Sequence, residues 1–119
     1  MPRPRLHMRA EEVTAFLASK RRAIVGTRAP DGAPDGEPAA LACAGGEVRV
    51  SVPRDGPTAR NLRHDPRLVV SVEEFPSYAG IKGVAVHGRA AALGDDGERT
   101  TFRVAAPRIE SFDFAKMQR

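Results

Sequence analysis

Residues 47–72 read EVRVSVPRDGPTARNLRHDPRLVVSV. Glu47 to Val52 alternates apolar and polar with period two, as a half-buried strand does. Asp55-Gly56 ends that strand and caps a helix, and Pro57 suits the helix's first turn because the missing N–H has no intrahelical partner there. Asp65-Pro66 stops the helix early, since the residue before proline is steered out of the helical region. Leu68 to Val72 then returns to a β run with three valines. Strand, short helix, strand, with no room for more, is the pattern of a β protein carrying small helices.

Outward from this stretch the same chemistry repeats. Upstream, Ala44-Gly45-Gly46 is a tight hairpin signal that joins Glu47–Val52 to a weaker strand over Pro38–Cys43. Before it, RAPDGAPDGEP holds two Pro-Asp-Gly repeats, strong turn chemistry, preceded by the apolar run Ala23–Thr27 (AIVGT). Ala10 to Ser19 reads as a short amphipathic helix with Val13, Phe16 and Leu17 on one face, Glu11 and Glu12 in its first turn and Lys20 to Arg22 at its end. Downstream, Phe75-Pro76-Ser77-Tyr78 is irregular. Ile81–Leu93 (IKGVAVHGRAAAL) alternates, with Val84, Val86 and Gly88 on one face and Ala85, His87 and Arg89 on the other; Gly83 and Gly88 suggest bends or bulges. Gly94–Gly97 is a turn, and Thr100–Ala105 and Arg108–Phe114 close the chain as two strands parted by Pro107. Six to seven strands with two short helices point to a mainly β, antiparallel, closed or nearly closed barrel. Residues 1–9 are expected as a flexible basic arm and residues 10–119 as one domain.

The composition narrows function. The 119 residues are 41% hydrophobic and 29% charged, ordinary for a globular domain. No apolar run approaches the roughly 20 residues of a membrane span, and the N-terminus lacks the apolar core of a secretory signal, so the expectation is a cytoplasmic protein. The net charge of +4 lies entirely in residues 1–22, which hold six cations and two anions. The remainder is balanced, and aromatics are only 5% with no tryptophan, so stacking platforms for nucleic acid are scarce and such a partner is not expected. One cysteine, Cys43 in LACAGG, excludes an internal disulfide and a Cys-rich zinc site and reads as a small buried hydrophobe. His7, His64 and His87 are too scattered to form a metal set, so no metal is expected, and no catalytic carboxylate pair stands out.

One segment does carry chemistry. Ser51 ends a strand, a Gly/Pro turn follows, and a helix begins at Thr58 with Arg60, Asn61 and Arg63. A strand end, free N–H groups at a helix N-terminus and nearby guanidinium groups make an anion site. The alternative is a solvated helix face.

The order AIVGT (23–27), the PDG turn, GGEVRVSV (45–52), TARNLRHDPRLVVSV (58–72) and GVAVHGRAAAL (83–93) resembles the pyridoxamine 5′-phosphate oxidase-like split β-barrel superfamily, and within it the small flavin- and deazaflavin-binding oxidoreductases. RIESFDF (108–114) is similar to the family's last strand. The resemblance implies a split β-barrel homodimer with FMN or the deazaflavin coenzyme (F-420 type) at the subunit interface, acting on a small-molecule substrate. By the same resemblance Ser51 and Val52 face the phosphate or ribityl chain, Thr58, Arg60 and Asn61 surround the phosphate, and Thr27 and Arg28, with Ala39 to Leu41, line the ring. This chain departs from the pattern at Thr58, where the family carries a lysine, leaving Arg60 or Arg54 to supply the positive charge. A non-catalytic barrel that binds haem or another small ligand is the alternative.

Overall fold

The computed structural model describes residues 6–77 and 80–118. Helix α1 (Ala10–Ala18) leads into strands β1 (Arg22–Arg28), β2 (Pro34–Ala44) and β3 (Glu47–Pro53). Helix α2 (Pro57–His64) follows, then β4 (Arg67–Glu74), β5 (Lys82–Asp96), β6 (Arg99–Asp113) and a closing 3-10 turn at Phe114–Gln118. The six strands form one closed barrel in the order β1-β2-β3-β6-β5-β4, with every pairing antiparallel. Closure comes from β4 meeting β1, where Ile24, Val25 and Gly26 face Ser71, Val70 and Val69. Closing the sheet removes the exposed edges that an open sheet would leave unpaired.

Period-two alternation sends one set of side chains inward. Val25, Val50, Val52, Val70 and Val86 fill the barrel and are fully buried. Branched side chains suit this place because their restricted rotamers match the pleated surface. Helix α1 buries Val13, Phe16 and Leu17, the face its spacing predicts. Helix α2, capped by Gly56, packs Thr58, Ala59, Asn61 and Leu62 over the barrel end formed by β1, β2 and β3. Cys43 is half-buried against the core, and burial pushes its thiol pKa up, which fits an inert hydrophobe.

Three local expectations change. The two closing strands are one: β6 runs through Pro107, because Ala106 turns to φ 51° and the pair forms a bulge opposite Gly88. A bulge leaves one residue outside the ladder, so proline's missing N–H costs no hydrogen bond there. Only the first Pro-Asp-Gly repeat is a turn. In it Gly32 takes φ 89° and Asp31 Oδ1 accepts the Ala33 N–H at 2.9 Å, whereas Asp35 and Gly36 pair with β1 inside β2. Gly94 does not turn the chain either. It pairs with Thr101 just after a bulge at Leu93, β5 continues to Asp96, and Gly97-Glu98 makes the hairpin.

Of the arm expected over residues 1–9, residues 1–5 lie outside the described residues, as does Tyr78 of the irregular segment. Leu6 and Met8 are tied to β6. The Leu6 carbonyl accepts from Asp113 N–H at 2.8 Å, the Met8 N–H donates to Ser111 Oγ at 2.8 Å, and the Met8 side chain joins the core.

The chain ends are further linked by Glu12, whose Oε1 accepts from Lys116 Nζ at 2.7 Å and from Arg9 Nε at 2.8 Å. The Lys116 ammonium first, then the Arg9 guanidinium, hold its carboxyl to about 2 from the usual 4.5. A depressed folded pKa gives stability that is present above pH 4.5 and lost as the pH falls towards 2. We expect Glu12→Gln to flatten the acid limb of a stability-against-pH curve in that window and to leave its slope above pH 6 unchanged. An unaltered acid limb in the variant contradicts this.

Candidate functional site

The eight residues singled out from the sequence separate into an inner and an outer group. Thr27, Val52, Thr58 and Asn61 point into the barrel and are buried. Asn61 Nδ2 donates to Thr27 Oγ1 at 3.0 Å and to Asp35 Oδ2 at 2.7 Å. Asn61 is thus the tie between α2 and the β1–β2 hairpin, and its amide nitrogen is satisfied there. Asp35, which the sequence reading took as part of a turn, is the unforeseen third member. Val52 and Thr58 offer a ligand no side-chain atom in this conformation.

The N-terminus of α2 has a carboxylate of the chain's own beside it. A Cβ placed on the cap residue Gly56 would stand 3.6 Å from Glu37 Oε1, an oxygen that is buried without a hydrogen-bond partner. Negative charge at that position complements the helix dipole and opposes a second anion. Arg54, half-buried, and Arg60, exposed, brace the loop beside it. Arg54 Nη1 donates to the Gly97 carbonyl at 3.1 Å, and Arg60 Nη1 donates to the Asp55 carbonyl at 3.0 Å.

Ser51 and Arg28 belong to the outer face. Ser51 projects outward from β3, where Arg99 clamps it. Arg99 Nε donates to Ser51 Oγ at 2.9 Å and Arg99 Nη2 to the Ser51 carbonyl at 2.6 Å. Arg99 also lines a groove of about 450 Å³ with Arg21, Arg22, Pro38, Ala39 and Ala40. Three guanidinium groups around one groove suit a phosphate, which each fork can bind with paired hydrogen bonds. Sequence reading missed Arg99 because it sits in a hairpin 48 positions from Ser51. Arg21 and Arg22 were visible only as a basic helix end.

A second groove of about 600 Å³ continues from Arg22 and Pro38 past Ile24 to Ser71 and Glu73. Ile24 faces Pro38 on β2 and Ser71 on β4, and Ser71 faces Ala85 on β5. Ile24 is 49% exposed despite its size. Arg28 lies at the far end of the face, six residues from Arg22 along β1, or about 20 Å at the usual strand rise.

A larger groove, about 670 Å³, is elsewhere, between Met8, Val13 and Ile109, and among the described residues no lysine or arginine lines it. Among the described residues no three His, Cys, Asp or Glu side chains converge as metal ligands do. No helix among them is long and apolar enough to cross a membrane.

A six-stranded antiparallel barrel with a helix over its end and a cationic groove on its outer face is of the split β-barrel class. The family model for pyridoxamine 5′-phosphate oxidase matches residues 10–117, and the chain belongs to that family. No curated protein matches the chain significantly. Solved structures share the fold. A conserved hypothetical protein from Mycobacterium tuberculosis is similar at TM-score 0.85 and 23% identity, covering 100% of this chain and 93% of its own. A FAD-binding protein from Mesorhizobium loti is similar at TM-score 0.74 and 22% identity, covering 87% and 92%. An F420 reductase is similar at TM-score 0.67 and 16% identity, covering 81% and 94%.

Proposed function

We propose that the protein binds a flavin-type cofactor, FMN or the deazaflavin coenzyme, on the outer face of β3, β2, β1 and β4, and serves as an oxidoreductase for a small molecule. The observation that carries this reading is the Arg99–Ser51 clamp beside Arg21 and Arg22, in a chain of this family. The similar structures described as FAD-binding and as an F420 reductase support this ligand class. Arg21, Arg22 and Arg99 take the phosphate, and the bare strip of Ala40, Pro38 and Ile24 takes the planar ring. Bound there, the cofactor supplies hydride or electron transfer, and the barrel positions it.

A single open face leaves one side of a planar ring in water, whereas cofactor sites bury most of their ligand. A second copy packed isologously on Ile24, Pro38 and Ala85 supplies the other wall and covers that exposed isoleucine. The active form in this reading is a homodimer.

The test is a titration of the purified chain with FMN and with the deazaflavin coenzyme, followed by absorbance, with the mass measured by sedimentation. We expect binding at micromolar level or tighter, about −8 kcal/mol, to a particle of twice 12.8 kDa. Arg99→Ala is expected to weaken binding roughly tenfold to a hundredfold, the usual worth of a charge-assisted hydrogen bond. A 12.8 kDa monomer that binds neither cofactor at about 1 mM overturns the proposal.

A further inference from the structure

We infer that the groove between β1, β4 and β5, lined by Arg28, Arg67 and His87, is a binding site for a small aliphatic carboxylate. This inference is separate from the flavin reading, whose phosphate groove lies at the other end of β1.

Register assembles the site. Val69 pairs with His87, Arg67 with Arg89, and His87 with Arg108, all outward on neighbouring strands. Arg28 ends β1 beside them and lines the same groove as Arg67 and His87. Four guanidinium groups and one imidazole therefore stand on four adjacent strands, about 4.8 Å apart per strand. Only His87 and Arg89 are neighbours in sequence; Arg28, Arg67 and Arg108 come from three other strands.

The anions nearby are already engaged. Asp65 accepts from Arg67 Nε at 3.0 Å and from Arg67 Nη2 at 2.7 Å. Those hydrogen bonds hold its carboxyl well below the usual range, and the Arg28 guanidinium adds to the effect, so Arg28's charge reaches this corner. Glu110 Oε1 is shared between His87 Nε2 and Arg108 Nη1, each at 2.9 Å. Asp35, on the groove's rim, accepts from Asn61. Arg28 and Arg89 have no hydrogen-bond or ion-pair partner among the described residues. Arg28 lines the groove, and Arg89 stands beside Arg67 across the β4–β5 pair, while Asp35 shares the rim and bonds a neutral amide.

The shape selects the ligand's size. The groove holds about 270 Å³, and Gly26, Pro34, Leu68 and Val69 make its floor. A Cβ on Gly26 would stand 2.8 Å from Val69 Cγ1, so the glycine lets β1 and Val69 approach and keeps the floor low. This volume lies below the range of drug-sized pockets, which favours a small metabolite over a nucleotide. No aromatic side chain lines it, so a base has nothing to stack on. Planar guanidinium forks match a carboxylate with two parallel hydrogen bonds, and the apolar floor suits an aliphatic body.

The experiment is a titration of the full chain, without added cofactor, with succinate and separately with the uncharged succinamide, followed by NMR of the backbone amides and the His87 ring. Succinate is expected to bind with a Kd of about 1 mM or below and to shift His87, Gly26 and Val69, while succinamide is not. Arg28→Gln and Arg89→Gln remove no hydrogen bond or ion pair among the described residues, so they are expected to fold as the parent does and to weaken succinate binding at least about tenfold each. Equal responses to succinate and succinamide overturn the inference. So does succinate binding that survives both substitutions, or that shifts Ala40 and Ser51 instead of His87. None of these readouts depends on whether the chain holds a flavin.

Discussion

Replacing Gly88 by alanine is expected to destabilise the protein by about 3 kcal/mol, the upper end of the usual cost of overpacking a filled site. The added Cβ would stand 2.5 Å from Val104 Cγ1 and 2.6 Å from the Ala105 carbonyl oxygen. A side-chain methyl can rotate away, but a backbone carbonyl cannot without moving β6. Gly88 sits at the register shift between β5 and β6, opposite the Ala106–Pro107 bulge. The measurement is urea unfolding, in which the midpoint is expected to fall with the slope unchanged. Gly36→Ala is the matched control. Its Cβ would meet only Ile24 Cγ2 at 3.7 Å, an ordinary contact, so a change within about 0.5 kcal/mol is expected. If the two variants unfold at the same midpoint, the close approach at Gly88 is not what holds the bulge in register.

Converting Asn61 to aspartate is expected to cost a similar amount at neutral pH, and the loss is expected to depend on pH. The native carboxamide donates to Asp35 and Thr27. An aspartate donates nothing when ionised, and it sets a second carboxylate where Asn61 Nδ2 now stands, 2.7 Å from Asp35 Oδ2. Two carboxylates this close cannot both ionise cheaply, so the pair's folded pKa rises above the unfolded value of about 3.9. A raised folded pKa on an acid makes the penalty greatest at high pH and relieves it as the pH falls towards the unfolded value. Asn61→Asp is therefore expected to lose about 3 kcal/mol at pH 7, the scale of an uncompensated buried charge, and less at pH 4.5. Asn61→Leu, which removes the donor without adding charge, is expected to lose about 2 kcal/mol with no added pH dependence between those values. A pH-independent loss in Asn61→Asp contradicts the picture of a tight Asp35–Asn61 contact.

These two positions mark where local reading of the chain stopped. Gly88 was legible as a bend or bulge, because a glycine within an alternating strand has few other uses. Its partner was not, since Pro107 reads locally as a strand break, and only pairing with β5 shows that the ladder continues around it. Asn61 was legible as a polar residue on a short helix and, through the resemblance, as part of a binding segment. Its role as the tie to Thr27 and Asp35 was not, because those bonds span 34 and 26 positions. Asp35 itself was hidden inside a repeat whose first copy is a true turn.

By itself the sequence determined the β class, the alternation along β3 and the start of β5, the buried face of α1, the bounds of α2 and the family. Each of these depends on periodicity, on capping, or on residues near one another in the chain. Tertiary structure alone decided that Ser51 meets Arg99, that Arg28, Arg67 and His87 share a groove, and that Thr27 and Asn61 face the interior together. Alternation tells which side of a strand a residue occupies. It does not tell which residue of a distant strand stands beside it, because that depends on register, set by bulges and by closure of the barrel.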